Sequence, residues 1–241
     1  MTLDFDTLLG GRVLHGQRNS GHRSGIEPVL LAAAIAARGG ERVLEAGTGS
    51  GAGLLCLAAR VAGITGVGVE QDAELVELAR TNVMQNRFGG LEITQADIAI
   101  FTDALPFDHA MANPPWYPSR ATPSPDAARA VARHAKDGLL AVWAKALGRR
   151  LRHRGTITFI IHASALSECL AAFTAAHCGS HAILPLWPRA GRPAKLVLVQ
   201  AVRDGRGPSR MLPGLTLHAE GLHYTAEAEA VLRAGAALDW G

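Results

Sequence analysis

Four consecutive residues, Asn113-Pro114-Pro115-Trp116, have the chemistry to act on a flat amino group. The two prolines fix the backbone and remove two N–H donors, so the turn presents acceptors. The side-chain carbonyl of Asn113 and the main-chain carbonyl of Pro114 could accept both hydrogens of an –NH2 group. Two such acceptors favour a pyramidal nitrogen with an exposed lone pair, and they stabilise the positive charge that develops on it. Trp116 offers a flat apolar face on which an aromatic ring can stack.

A glycine-rich turn over residues 47–51 is the second candidate site. Alternate glycines allow a sharp turn close to a ligand, and a helix predicted from Gly51 points its N-terminal N–H groups at that ligand. Such a turn could also be purely structural or could serve a dinucleotide. Glu45 precedes it, however, and a carboxylate there repels a pyrophosphate and suits a cationic amino-acid ligand. Glu70 ends the next apolar segment about 20 residues on, where ribose hydroxyls are usually held.

Asp97 follows a third apolar segment, in Gln95-Ala96-Asp97-Ile98. Its carboxylate could accept a hydrogen bond from an adenine amine, but a turn or helix N-cap aspartate is an equally good interpretation of the spacing. No His, Cys and Asp residues have the spacing of metal ligands, and the three cysteines form no Cys-x-x-Cys pair. We therefore expect neither a metal site nor disulfides.

These motifs follow short, apolar, branched segments that alternate with helical patterns, which predicts a doubly wound α/β sheet. The predicted strands are Arg42–Ala46, Gly66–Glu70, Leu91–Thr94, His109–Asn113, Thr156–Ile161 and Lys195–Val202. The predicted helices are Gly51–Ala62, Asp72–Asn86 with Asp72 as N-cap, Val131–Arg150 and Ala165–Ala176, and a strand or hairpin followed by a helix from Thr225 to Ala234 is expected in the tail. Pro-containing stretches at 114–125, 185–193 and 205–214 predict loops.

Composition and charge limit the class of protein. The chain has 241 residues, of which 48% are hydrophobic and 19% charged, enough for one large α/β domain. No apolar run reaches the roughly 18 residues of a membrane span, and the N-terminus lacks the order of a signal peptide, so we expect a cytoplasmic protein. Residues 40–110 contain ten acidic and four basic residues, whereas residues 120–154 contain nine basic and two acidic ones. That basic stretch is a solvated helix face or a surface for phosphates.

The order and spacing of these motifs resemble class I S-adenosylmethionine-dependent methyltransferases. The resemblance implies a mostly parallel seven-stranded sheet with an antiparallel edge strand, and S-adenosyl-L-methionine as cofactor. It implies that the glycine turn wraps the methionine portion, Glu70 holds the ribose and Asp97 contacts the adenine. The Asn-Pro-Pro-aromatic turn is similar to the signature of methyltransferases that act on adenine N6, cytosine N4, guanine N2 or glutamine.

Three further segments, 16–31, 186–195 and 217–225, resemble bacterial tRNA adenine-N6 methyltransferases of the small-domain family. This likeness implies an RNA partner and an N-terminal segment, residues 1–35, that closes over the cofactor of a domain at 36–241. The expected catalytic residues are Asn113, Pro114 and Trp116. The expected cofactor residues are Arg23, Glu45, Gly47, Thr48, Gly49, Gly51, Glu70, Gln71, Asp97, Ile98 and Asn113. The expected substrate residues are Trp116, Tyr117, Arg149, Arg150, Arg189, Arg192 and Lys195.

Other functions stay open on sequence grounds. The same turn could serve another planar amine or amide, such as guanine N2 in rRNA or glutamine in a protein. The glutamine enzymes usually carry an extra helical N-terminal domain, and only about 35 residues precede the first predicted strand here. A cofactor-binding or RNA-binding protein without catalysis is the third alternative. The sequence does not specify an oligomeric state.

Overall fold

A computed structural model describes residues 3–18, 25–115, 138–221 and 223–241 of the chain. The strands are β1 Leu3–Leu8, β2 Val13–Arg18, β3 Arg42–Ala46, β4 Thr65–Glu70, β5 Leu91–Gln95, β6 Phe107–Ala112, β7 Leu151–His162, β8 Cys178–Arg189, β9 Leu196–Arg203, β10 Arg210–Met211 and β11 Leu215–His218. The helices are α1 Glu27–Ala34, α2 Ala52–Arg60, α3 Ala73–Asn86, α4 Leu139–Arg150, α5 Leu166–Ala175 and α6 Ala226–Leu232.

Nine of these strands form one sheet in the order β10-β8-β9-β7-β6-β3-β4-β5, with β11 also paired to β8. The central strands β5, β4, β3, β6 and β7 are all parallel. Strand β9 runs antiparallel between β7 and β8, so β8 has the same direction as the central strands. This confirms the doubly wound α/β class with its antiparallel element near one edge. The short strands β10 and β11 extend the seven-stranded core beyond β8.

Two apolar layers, one on each face, bury the sheet. The first layer contains α1, α2 and α6, together with Leu9 and Val13 of the N-terminal hairpin. The second contains α4 and α5 packed on β6, β7 and β9. The strands that carry the candidate motifs are therefore buried on both faces, which is typical of parallel sheets, and only their ends reach solvent. None of the helices in the described ranges is long and apolar enough to span a membrane.

The six strands predicted from apolar segments are present, with ends that differ by a few residues. Helix α3 begins where predicted, because the Asp72 carboxylate accepts hydrogen bonds from the N–H groups of Glu74 (2.9 Å) and Leu75 (3.2 Å). The helix predicted over 131–150 begins at Leu139 after Gly138, and residues 131–137 lie outside the described ranges. In the tail, α6 begins after Thr225, whose hydroxyl accepts from the Ala228 N–H.

The prediction of a loop over 185–193 was wrong for its first half. Strand β8 extends to Arg189 and includes two prolines. The side of β8 away from β9 pairs with β10 at Ala182 and Ile183 and with β11 from Leu186 onward. Pro185 lies between these two pairings. On that side of β8 it has no partner among the described strands, so the absence of its backbone N–H donor is tolerated. The loop predicted over 205–214 likewise contains the two-residue strand β10.

Candidate functional site

The sheet register brings the two candidate motifs side by side. Ala46 at the end of β3 pairs with Ala112 at the end of β6 and with Val69 on β4. The residues that follow Ala46, Ala112 and Val69 are Gly47, Asn113 and Glu70, respectively. The glycine turn, the Asn-Pro-Pro turn and the Glu70 carboxylate are therefore level with one another. Because the carboxyl ends of parallel strands meet at one edge, this edge is the crevice in which doubly wound proteins bind ligands.

Positive backbone φ angles shape the glycine turn. They are +61° at Gly47, +56° at Gly49 and +88° at Gly51, a region that L side chains rarely adopt. The N–H groups of Gly47 and Thr48 both donate to the Val69 carbonyl, at 2.9 and 3.2 Å, which ties the turn to β4. A Cβ atom built on Gly49 would meet no atom of the described residues within 4 Å, so none of them fills the space in front of the turn there. The turn is thus a rigid cradle with room for a ligand against its backbone.

Trp143 on α4 closes one side of this cradle. A Cβ atom built on Gly47 would lie only 2.4 Å from Cη2 of the Trp143 indole, so only glycine fits under the ring. Trp143 is partly exposed and belongs to the apolar layer that contains α4. Trp143 belongs to no local sequence motif and was not among the predicted site residues. The one hint in the sequence is that aromatic residues are scarce, 5% of the chain, so that each of them is a candidate for a special role.

Glu45 lies beneath the glycine turn rather than on its open side. Its carboxyl group is buried and accepts hydrogen bonds from the Thr48 hydroxyl (2.5 Å) and the Leu54 N–H at the start of α2 (3.3 Å). A Cβ on Gly53 would collide with it at 2.1 Å, so glycine at that position makes room for the acid. Burial raises the pKa of Glu45 to about 8, against the lowering effect of its two hydrogen bonds. Glu45 therefore shapes the turn as a mainly neutral acid at pH 7.

We expect this buried acid to make folding pH-dependent. Its pKa is about 8 in the folded protein and 4.5 as the ordinary value, so between these pH values only the folded state keeps the proton. Stability due to Glu45 is therefore complete below about pH 4.5 and is lost as pH rises towards 8, by up to about 1.4 kcal/mol per pH unit. Urea unfolding of the wild type and Glu45→Gln from pH 5.5 to 8.5 measures this. The wild type should lose stability relative to the variant, and parallel curves would contradict the expectation.

Glu70 and the residues after β5 form the far end of the crevice. One Glu70 oxygen accepts from the Gly49 N–H at 2.9 Å, and the other accepts from the N–H groups of Gln71 (2.8 Å) and Asp72 (3.1 Å). This fixes the carboxylate at the level of the glycine turn. Asp97 is exposed, and one of its oxygens accepts from the Ala99 N–H at 2.9 Å, so it makes the turn contact that its spacing also allowed.

Two further predicted cofactor residues, Gln71 and Ile98, directly follow these acids in the chain. Gln71 is exposed next to Glu70, and Ile98 is buried in the α4–α5 layer. Asn113 is partly exposed at the end of β6, followed by buried Pro114 and exposed Pro115. Arg23, Trp116 and Tyr117, which were also predicted at the site, lie outside the described residues.

The structure separates the predicted basic residues between two edges of the sheet. Helix α4 runs from the glycine turn to the amino ends of the strands, since Leu151 pairs with Phe107 at the start of β6. Arg149 and Arg150 therefore lie at the edge opposite Asn113, and a guanidinium N–H of Arg150 donates to the Phe101 carbonyl at 2.6 Å. The predicted substrate residues therefore do not all lie at one edge, because α4 runs antiparallel to the strands and carries Arg149 and Arg150 away from Asn113.

Arg189, Arg192 and Lys195 lie at the same edge as Asn113, around the β8–β9 turn. Arg189 donates to the carbonyls of Ala219 (2.7 Å) and Gly221 and so binds the tail. Arg192 and Lys195 are exposed. Next to them is an open cavity of about 460 Å³, lined by Trp187, Ala190, Gly191, Arg192, Pro193 and Thr216.

The residues present fit S-adenosylmethionine. The open space against Gly49 leaves room for backbone contact, and the carboxylates of Glu70 and Asp97 can accept hydrogen bonds from a ribose and from an adenine amine. Within the described ranges, no group of three or more His, Cys, Asp or Glu residues could hold a metal ion. The three cysteines are buried and unpaired.

Comparisons with known proteins agree with this geometry. Residues 26–142 match the family model described as methyltransferase small domain. The solved structure of a predicted O-methyltransferase from Agrobacterium tumefaciens is similar over 88% of this chain and 98% of its own, with a TM-score of 0.74 and 24% identity. A TehB-like S-adenosylmethionine-dependent methyltransferase from Corynebacterium glutamicum has a TM-score of 0.52 at 14% identity, over 74% of this chain and 89% of its own. The family match covers just under half of the chain, and the two solved structures show that the chain has the fold of these methyltransferases.

In sequence, the chain is similar to curated proteins named tRNA1(Val) (adenine(37)-N6)-methyltransferase. The relative from Pseudoalteromonas translucida is 30% identical over 133 residues, which cover 55% of this chain and 56% of the relative. The relative from Bacteroides thetaiotaomicron is 30% identical over 139 residues, which cover 57% of this chain and 58% of the relative. The matched region thus spans less than two thirds of the length of these relatives.

Proposed function

We propose that the protein transfers a methyl group from S-adenosyl-L-methionine to the exocyclic N6 nitrogen of an adenine in tRNA. The observation that carries this proposal is the register that sets Asn113-Pro114 one strand from the glycine turn. A methyl acceptor held by the first motif would lie next to a cofactor held by the second. The relatives' names support an adenine in tRNA as the acceptor.

Three groups would contact the cofactor directly in this proposal. The backbone of the glycine turn would contact the methionine portion, Glu70 would accept the ribose hydroxyls, and Asp97 would accept the adenine amine. Thr48 and Glu45 would hold the turn in shape from below, and Gln71 and Ile98 would flank the nucleoside. The bound cofactor supplies a methyl group already activated by its sulfonium, so the protein's part is to position and stabilise.

Asn113 and Pro114 would act on the acceptor nitrogen. The lone pair of an adenine amine is delocalised into the ring, which makes it a poor nucleophile. The Asn113 side-chain carbonyl and the Pro114 main-chain carbonyl would each accept one amine hydrogen, turn the lone pair outward and stabilise the charge that forms. Trp116 would stack on the base, and an unpaired adenine would be needed to reach it.

The exposed cations near the β8–β9 turn would bind the RNA backbone. Strand β8 is three strands from β6, which is roughly 14 Å across the sheet, and the register places Ile183 level with Ala112. The β8–β9 turn begins six residues beyond Ile183, roughly 20 Å further along the strand, so its cations would contact phosphates several nucleotides from the target adenine. The adjoining cavity, with Trp187 and Pro193 in its wall, could receive a flanking base.

Nucleoside mass spectrometry tests the acceptor. Purified protein is incubated with methyl-labelled cofactor and unmodified tRNA, and the digested nucleosides are analysed. We expect label in N6-methyladenosine. Label in N2-methylguanosine or in protein glutamine would replace adenine by another planar amine or amide, and the absence of transfer to any acceptor would favour a binding protein without catalysis.

Charge reversal of exposed cations at the two edges of the sheet should change tRNA affinity by different amounts. Arg192→Glu combined with Lys195→Glu should weaken tRNA binding by about tenfold or more and reduce the slope of its salt dependence, because phosphate contacts release counterions. Arg149→Glu combined with Arg154→Glu is the matched control, since it reverses two exposed arginines at the opposite edge and should change binding less than twofold. Filter binding across 50–300 mM salt measures both. An equal loss of tRNA affinity in the two charge-reversal variants would show that the RNA does not prefer the Asn113 edge.

A further inference from the structure

Two asparagines on α3 hold the N-terminal hairpin by its open edge. Among the strands of the described residues, only β1 pairs with β2, and it does so along one side. On the other side, Asn86 accepts from the Leu14 N–H (2.9 Å) and donates to the Leu14 carbonyl (2.6 Å). Asn82 makes the same pair with Gly16, at 2.9 and 3.0 Å. Asn82 and Asn86 are one helical turn apart, and their partners on β2 are two residues apart in sequence. Each side-chain amide therefore makes the two hydrogen bonds that the backbone of a neighbouring strand would otherwise make.

Asn82 differs from Asn86 because it also contacts the glycine turn. A side-chain N–H of Asn82 donates to the Ser50 carbonyl at 2.9 Å. His15 on β2 contacts the same residue, with Nε2 2.8 Å from the Ser50 hydroxyl oxygen. Both oxygens of Ser50, between Gly49 and Gly51, are therefore held from outside the turn.

These contacts are buried and sterically demanding. Asn82 and His15 are fully buried. A Cβ on Gly16 would lie 2.9 Å from the Asn82 side-chain oxygen, so glycine permits the close approach of β2. Burial lowers the pKa of His15 to about 4, with Asp6 opposing the shift, so the imidazole is neutral near pH 7. The bond to Ser50 thus joins two neutral groups in a dry environment, where loss of one partner is costly.

We propose that Asn82 and His15 are positioning residues for the cofactor. They hold the glycine turn through Ser50 and thereby make cofactor affinity depend on the docking of the hairpin β1–β2 on α3. Neither residue needs to touch the cofactor. The inference rests on cofactor binding at the glycine turn and not on the identity of the RNA.

A comparison of Asn82→Ala with Asn86→Ala tests this inference. Each variant loses one amide pair to β2, so both should lower the melting temperature, Asn82→Ala by more because its side chain is fully buried. Only Asn82→Ala also frees Ser50, and we expect it to weaken binding of S-adenosylmethionine by about tenfold while Asn86→Ala changes it less than twofold. Isothermal titration calorimetry measures the affinities. At saturating cofactor the turnover of Asn82→Ala should stay within about twofold of the wild type.

The His15–Ser50 contact provides an independent cycle should Asn82→Ala fold poorly. His15→Leu and Ser50→Ala should each weaken cofactor binding severalfold, and the double variant should be no worse than either, because both remove the same bond. His15→Gln, whose amide reaches the Nε2 position, should restore affinity. Equal cofactor affinity in wild type, Asn82→Ala and the His15 variants, or an equal loss in Asn82→Ala and Asn86→Ala, would overturn the inference. A wild type that binds no cofactor would instead refute the proposed function.

Discussion

Asn113→Ala should abolish methyl transfer while leaving cofactor binding nearly intact. Asn113 begins the turn after β6 and is level with Gly47, but the residues that tie the glycine turn in place come from β2, β3, β4, α2 and α3. Removing the Asn113 amide removes a hydrogen-bond acceptor for the amino group of the substrate base. The cofactor does not use this acceptor, so its binding should persist. Loss of one preorganised group of this kind costs about 100- to 1,000-fold in turnover. Affinity for the cofactor should change less than about threefold.

Single-turnover methylation and calorimetry on the same preparation separate these two effects. Asn113→Asp is the informative companion, because it keeps an oxygen acceptor at the same position and should retain far more activity than Asn113→Ala. If Asn113→Ala instead loses cofactor affinity in proportion to turnover, the side chain faces the cofactor and our assignment of its role is wrong.

Glu70→Ala should have the opposite profile and weaken cofactor binding first. The Glu70 carboxylate is fixed by three backbone N–H groups at the end of β4, level with the glycine turn. An oriented carboxylate that accepts two ribose hydroxyls makes charge-assisted hydrogen bonds of about 1.5–3 kcal/mol each. We therefore expect the dissociation constant of S-adenosylmethionine to rise by about 100-fold, with turnover largely recovered at saturating cofactor.

Glu92→Ala is the matched control for this variant. It removes an exposed carboxylate from the neighbouring strand β5, on the same acidic half of the chain, and should leave affinity unchanged. Similar losses in both variants would mean that net charge, rather than a contact from Glu70, governs binding. Glu70→Gln, which keeps one acceptor oxygen, should fall between the wild type and Glu70→Ala.

The parallel core was predictable because its strands are buried on both faces. Segments such as Val43–Ala46 and Val67–Glu70 are apolar and branched without alternation, and each ends in a recognisable turn or acid. Once the strands are parallel and adjacent, the motifs at their carboxyl ends must meet at one edge. The sequence thus predicted the neighbourhood of Gly47, Glu70 and Asn113 without any structural information.

Features that depend on helix direction and long-range contact were not predictable in this way. Arg149 and Arg150 follow the Asn-Pro-Pro turn in sequence, but α4 returns antiparallel to the strands and carries them to the other edge. Strand β8 was partly predicted as a loop because Pro185 obscures its pattern. Trp143 and Asn82 act through contacts to residues 96 and 32 positions away, and neither belongs to a local motif.

A crystal structure with bound S-adenosylhomocysteine tests the central claim most directly. The product keeps the adenosine and the sulfur of the cofactor, so it reports where the methyl group would lie. We predict that its ribose hydroxyls lie within hydrogen-bond distance of Glu70, its amino-acid portion against the glycine turn, and its sulfur on the side that faces Asn113 and Pro114. A nucleoside bound away from Glu70, or a sulfur turned away from the Asn-Pro-Pro turn, would contradict the account.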